Sequence, residues 1–181
     1  RQIQNYLRRG YQKASELGQK GQAIGFVMSV YRKLATSSIA AIRNALIKRL
    51  ERLDSEEESI NSIYYEEDDI QDERYLGEWE EKITTKREVF FEGEREILGE
   101  LIIKADEIFK NDSKLKTFIN DIITPIIQQN DKQKTLIFTE YRATQNYLFN
   151  ELEQRFGSGC VAMINGSQNF NERELSIEKF E

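Results

Sequence analysis

Histidine is absent from the 181 residues, cysteine and proline occur once each, as Cys160 and Pro125, and there are 10 glycines. Without imidazole, neither a Ser-His-Asp nor a Cys-His nucleophile can operate within this chain, and zinc sites built on histidine are excluded. A single cysteine excludes a CxxC site and an internal disulfide. Scarce glycine and proline favour long helices over sheet-and-turn architecture. No run approaches the ~20 apolar residues that span a bilayer, and the opening residues show no signal-peptide pattern, so a cytoplasmic protein without membrane association is expected. What is abundant is charge: 32% of residues are charged and 39% hydrophobic, against a globular norm of roughly 45–50% apolar. Much solvated helix surface follows. Both ends, at Arg1 and at Glu181, fall inside helix-like patterns, and an internal fragment of a longer intracellular protein is expected.

The formal charge of -6 conceals an asymmetry. Residues 1–53 carry a net +9, with Glu16 and Glu51 as their only carboxylates; residues 54–81 carry a net -12, with Arg74 as their only base; the remainder carries -3. The basic segment can guide nucleic-acid phosphate with salt-sensitive affinity, or it can simply complement the acidic stretch of the same molecule. A built-in brake, in which the acidic stretch competes with DNA for the basic face, would show as tighter DNA binding at low salt when residues 54–81 are deleted. Unchanged affinity would sink that idea.

Hydrophobic spacing organises the rest. Ile24, Val27, Val30, Tyr31 and Leu34 recur at helical spacing; after the N-cap cluster Thr36-Ser37-Ser38, so do Ile39, Ile42, Leu46, Leu50 and Leu53. A helical hairpin with basic outer faces is expected. Residues 54–81 have no clean apolar period and read as a solvated loop that Tyr75 and Trp79 could anchor. Helical spacing returns through Ile97, Leu101, Ala105 and Ile108. Asn111-Asp112-Ser113 marks a stop and a new N-cap, and Leu115 to Ile127 form another stripe that Pro125 should kink or shorten.

From residue 131 the pattern changes. Thr135-Leu-Ile-Phe138 is a short apolar run like a buried parallel strand. An amphipathic helix with Tyr147, Leu148, Leu152 and Phe156 follows, then Gly157-Ser-Gly159 and a second apolar run, Cys160 to Ile164, in which Cys160 is expected to be a buried strand residue without redox work. Strand, helix and strand make a βαβ unit. The fold class expected is therefore α/β: a mainly helical module over residues 1–110, including the acidic loop 54–81, followed over residues 111–181 by the start of a parallel α/β domain.

No GxxxxGK[ST] loop is present, and no GxGxxG follows a strand; Gly157-Ser-Gly159 sits where glycine usually serves as a helix C-cap. The carboxylate-dense loop lacks an EF-hand register. A strand ending in Thr139-Glu140-Tyr141-Arg142 would place polar groups on the carboxyl edge of a sheet, where ligands bind in open α/β folds, beside the N-terminus of the next helix.

The stretch Leu136-Ile-Phe-Thr-Glu-Tyr-Arg-Ala-Thr144, with Tyr147-Leu148, Gly166, Arg173 and Phe180 following in order and spacing, resembles the opening of the second RecA-like domain of superfamily-two helicases and translocases, in the Swi/Snf-type, RapA-like branch. Asp112-Ser-Lys-Leu115 and Tyr31-Arg-Lys-Leu-Ala-Thr-Ser-Ser38 resemble further elements of that family. The resemblance implies a partial RecA-like domain, the C-terminal lobe of a P-loop NTPase helicase, and for the parent protein DNA-dependent ATP hydrolysis coupled to translocation or remodelling. ATP and Mg would be bound mainly by parts outside this chain, which is not expected to hydrolyse ATP by itself. Double-stranded DNA is the implied partner, with a nucleoprotein complex such as RNA polymerase as a further candidate.

By the same resemblance, Thr139, Tyr141, Arg142, Asn165 and Gly166 would face nucleic acid, with Phe138, Glu140, Arg173 and Phe180 as motif positions. Each has a second reading. Arg142 either forks a phosphate or pairs with Glu140 or another carboxylate. Tyr141 either meets a base or packs internally. Gly166 can be a turn residue, and Arg173 either contacts an anion or makes a bridge near Glu172. Two other function classes stay open: a non-enzymatic helical adaptor with an acidic docking loop, and an RNA helicase of the same superfamily.

Overall fold

The computed structural model describes residues 1–54, 89–130 and 133–180. The chain divides into two compact units, residues 1–109 and 110–181. The acidic stretch lies outside the described residues apart from Asp54, as do Tyr75 and Trp79.

Among the described residues, four long helices build the first unit: α1 (Gln2–Glu16), α2 (Gln22–Ser37), α3 (Ile39–Asp54) and α4 (Glu94–Phe109). A short 3-10 turn, Gly18–Gly21, folds α1 back on α2. The return is tight: a Cβ on Gly21 would stand 1.9 Å from the carbonyl oxygen of Ala14, so glycine is required there by close backbone approach. Ser38 opens α3 as its N-cap, its Oγ accepting from the Ala41 N–H at 3.1 Å, which is how a serine satisfies an orphan amide of a helix start. α1 packs on α2, α2 on α3 and α3 on α4. Tyr6, Leu7, Ile24, Val27, Met28, Tyr31, Ile42, Leu46, Leu53, Leu98 and Leu101 fill the core. Burying each aliphatic side chain is worth roughly 1.5–3 kcal/mol, and this amphipathic packing rather than intrinsic propensity holds helices of such length.

The α3 stripe differs from the spacing expectation in one informative place. Leu50 is only half-buried, and Arg49 takes the inward position between Leu46 and Leu53. Its guanidinium is neutralised by Glu94, the first residue of α4: Nε reaches Oε1 and Nη2 reaches Oε2, each at 3.1 Å. Tyr6 donates to Oε1 at 2.8 Å, and the Phe90 N–H donates to Oε2. The guanidinium also lies 3.7 Å from the Phe90 ring centroid, a cation–π contact. Both charges are buried, and their donors and acceptors are matched, as burial demands.

In the second unit, Asp112 caps α5 (Ser113–Thr117), its Oδ1 accepting from the Lys114 and Leu115 N–H groups. Tyr147 donates to the other carboxylate oxygen at 3.3 Å. A wide π-type turn, Phe118–Ile123, leads into α6 (Thr124–Gln129). Pro125 falls in the first turn of α6, where its missing N–H costs least, and the Thr124 hydroxyl donates to the Ile119 carbonyl at 2.8 Å. So the proline is absorbed by widening the preceding turn. Two more helices follow, α7 (Arg142–Phe156) and α8 (Phe170–Phe180). Leu152 of α7 packs with Ile119 and Ile123, joined by Leu115, Phe118, Phe156 and Val161.

The α/β expectation is overturned. Among the described residues the structure is helical, with no strand and no sheet, so it contains no βαβ unit and no RecA-like domain. An apolar run becomes a buried parallel strand only with hydrogen-bonding neighbours and with helices covering both faces. Thr135 to Phe138 have neither: Leu136 and Phe138 are 68% and 89% exposed. In the second run, side chains take over the backbone acceptors that a ladder would use. The Val161 carbonyl accepts from Lys179, that of Met163 from Gln168 and Ser176, and that of Ile164 from Gln145. Cys160 is correspondingly exposed rather than buried in a strand. Among the described residues no helix is long and apolar enough to cross a membrane.

Candidate nucleic-acid interface

The positions singled out between residues 138 and 180 sort into a cluster and outliers. The cluster is the turn at Asn165-Gly166-Ser167, where Asn-Gly is a common turn pair. Asn165 Oδ1 accepts from the Ser167 N–H at 3.2 Å and from the Ser167 hydroxyl at 2.7 Å, an Asx-type turn. The Asn165 N–H donates to Gln168 Oε1 at 3.0 Å. Two arginines from two helices reach this turn. Arg142, the first residue of α7, donates from Nη2 to Asn165 Oδ1 at 3.0 Å, and Arg173 of α8 donates from Nη2 to the Gly166 carbonyl at 3.2 Å.

Local structure explains both placements. Tyr141 is the extended residue before α7, at φ -106 and ψ 129, and the helix start fixes where Arg142 points. Asn169 opens α8 with a reciprocal cap: the Glu172 N–H donates to Asn169 Oδ1 at 3.0 Å, and the Asn169 N–H donates to Glu172 Oε2 at 2.8 Å, the Asn counterpart of a capping box. That leaves Arg173, one position on, facing back to the turn. Glu172 is thus occupied by the cap, and Arg173 meets a carbonyl instead.

Neither Arg142 nor Arg173 forms an ion pair among the described residues. A guanidinium has five N–H donors in a fixed fork. Each arginine commits one to the turn, so most donors of both remain available to an anion at the same spot.

The other positions differ mainly in exposure. Thr139 is half-buried, Glu140 exposed, and Phe138 almost fully exposed. Tyr141 is buried, at 8% exposure, so its ring is not presented for stacking. Phe180 closes α8, where its carbonyl accepts from the Lys134 amino group, which also lies 5.6 Å from the Phe180 ring centroid.

Gln145, Ser167 and Gln168 hold the turn in place and were not among the positions read from sequence; the signal available was the Asn-Gly-Ser tripeptide itself. Glu153 braces the neighbouring loop, its Oε1 accepting from the Gly159 and Val161 N–H groups at 2.8 and 3.3 Å. Desolvation works to raise its pKa, but those two bonds, the Ser158 hydroxyl and Lys179 outweigh it and hold the carboxyl below the usual range. Cys160 is shifted the other way: burial of its sulfur and the Glu153 carboxylate push the thiol up.

Compared with known proteins, the chain matches no family model, no curated protein and no solved structure.

Proposed function

We propose that this chain is a nucleic-acid-contacting part of an ATP-driven translocase of the Swi/Snf type, with duplex DNA as its track and nucleotide hydrolysis carried out by other parts of the machine. The observation that supports it is the convergence of Arg142 and Arg173 on Asn165 and Gly166. These are four of the nine positions singled out in the sequence, and two guanidiniums with unspent donors at one turn suit a phosphate. The reading does not require a sheet: backbone contacts position a protein on the duplex without reading sequence, and a rigid turn between two helices can present them. The chain contains no phosphate-binding loop, so no ATP turnover is expected from it alone.

Binding of the full chain to labelled duplex DNA, single-stranded DNA and RNA duplex tests the reading. Arg142→Gln with Arg173→Gln should weaken duplex DNA binding at all sequences alike and lower the salt slope by about 1.8, at roughly 0.9 per lost phosphate contact. Equal affinity of the variant and the parent chain would refute the site. A preference for RNA duplex would move the reading to an RNA helicase. A helical adaptor is a second reading, favoured by the exposure of Leu136, Phe138, Phe170 and Leu175 in the second unit, at 64–89%; large apolar side chains left in water are what a protein partner would cover. It predicts no binding of any of the three nucleic acids.

A further inference from the structure

The first unit spends its positive charge unevenly. Towards α3 and α4, three arginines are matched within the unit: Arg49 with Glu94, Arg43 with Asp106 and Arg95 with Asp54. The α1–α2 hairpin is different. Its only carboxylate is Glu16, which is already paired with Lys13 at 3.3 Å. Arg8, Arg9, Arg32 and Lys33 are exposed and form no ion pair among the described residues.

Geometry gathers some of these cations. Gln4, Arg8 and Tyr11 follow one another at four and three positions and so share a stripe of α1; Ser29, Arg32 and Lys33 share one of α2 by the same spacing. The two stripes meet at a seam, because Tyr11 Oη and Ser29 Oγ are 3.0 Å apart. Antiparallel register is fixed by Tyr6 stacked on Tyr31, with ring centroids 6.2 Å apart, and by Gly10 against Met28. With Tyr6 level with Tyr31, Arg8 is level with Ser29, and Arg32 lies three residues away, about 4.5 Å along the axis. All six side chains of the seam are exposed.

We propose that this seam, with Arg8 and Arg32 as its principal groups, binds the phosphate backbone of a nucleic-acid duplex. It is a second contact surface with no residue in common with the Asn165 turn, and it shares with the reading above only the class of ligand. Like charges brought together repel; among the described residues no carboxylate pairs with these cations, and an external polyanion relieves that repulsion. Arginine forks are suited to phosphate oxygens. Neutral donors beside them, here Gln4 and Tyr11, are what phosphate contacts commonly add. A duplex backbone offers closely repeated anions along the whole hairpin, whereas an acidic peptide would have to match the two arginines by its own spacing.

The test uses the full chain and fluorescence anisotropy with a short labelled DNA duplex between about 50 and 200 mM salt. Arg8→Gln with Arg32→Gln is compared with the charge-matched, exposed pair Lys104→Gln with Lys110→Gln, and helix content is checked by circular dichroism. The seam variant should bind about tenfold more weakly at the lower salt, with a salt slope reduced by about 1.8 relative to the parent chain, while the control keeps the parent slope. A seam variant that behaves like the control overturns the proposal. So does a variant that keeps duplex binding but loses binding to polyglutamate, since that outcome assigns the seam to acidic protein. Running Arg142→Gln with Arg173→Gln alongside separates the two surfaces: loss there with an intact seam variant refutes the seam alone, and loss in the seam variant only refutes the Asn165 turn alone.

Discussion

Replacing Glu94 by Gln tests the physical core of the first unit. The carboxylate receives four hydrogen bonds: Tyr6 and Arg49 Nε on Oε1, and Arg49 Nη2 and the Phe90 N–H on Oε2. Gln keeps the shape, but it turns one oxygen into a donor that faces two donors, and it leaves a buried guanidinium without its counter-charge. Breaking a buried pair from one side costs about 3–5 kcal/mol, which is a large share of the 5–15 kcal/mol that stabilises a typical domain. Arg49→Met should cost a similar amount, because it strands the carboxylate. The double variant should cost well under the sum of the two, since it removes both charges. Urea unfolding read by native-state hydrogen exchange in α3 and α4 measures this without mixing in the second unit. With urea slopes of about 1–3 kcal/mol per molar, the single variants should lose on the order of 2 M in midpoint. Single variants within about 0.5 kcal/mol of the parent, or strict additivity in the double, would refute the assignment of Arg49 and Glu94 as a coupled buried pair.

Alkaline pH should destabilise the same unit. Burial chiefly raises the Tyr31 pKa from 10.0 to about 12, and burial, Tyr31 and Glu94 raise that of Tyr6. The unfolded chain therefore loses these protons first, so the stability is complete below pH 10 and, for Tyr31, falls between 10 and about 12 by up to about 1.4 kcal/mol per pH unit, with Tyr6 acting in the same direction; Tyr31→Phe should flatten the fall in melting temperature, and a variant as steep as the parent would contradict this. Gly21→Ala should cost about 1–3 kcal/mol, as overpacking does, because the obstacle is the Ala14 backbone oxygen and not a side chain that can turn away; a melting temperature equal to the parent's would show that the α1–α2 return is looser than described. Cys160 is exposed yet has its thiol pushed up by burial of its sulfur and by Glu153, so alkylation at pH 8 should run slower than for a free peptide thiol and speed up in Glu153→Gln. Equal rates in the two proteins would remove Glu153 as a cause.

Helices were legible in the sequence because their causes are local. The 3.6-residue spacing of Ile24 to Leu34, the Ser38 and Asp112 caps, and the disturbance at Pro125 depend on neighbours within one or two turns. The charge asymmetry of residues 1–53 was equally plain. Tertiary structure alone decided three things. Whether Thr135 to Phe138 and Cys160 to Ile164 are strands depends on partners elsewhere in the chain, and the side chains of Gln145, Gln168, Ser176 and Lys179 satisfy the second run without any ladder. That Arg49 and not Leu50 points inward depends on Glu94, 45 residues away, since only a distant carboxylate makes a buried guanidinium tolerable. The convergence of Arg142 and Arg173 on one turn, and the contact of Tyr11 with Ser29 that joins the α1 and α2 stripes, arise from helix packing and turn geometry. Periodicity places a residue on a face of its own helix, and only the packing of helices decides which faces come together.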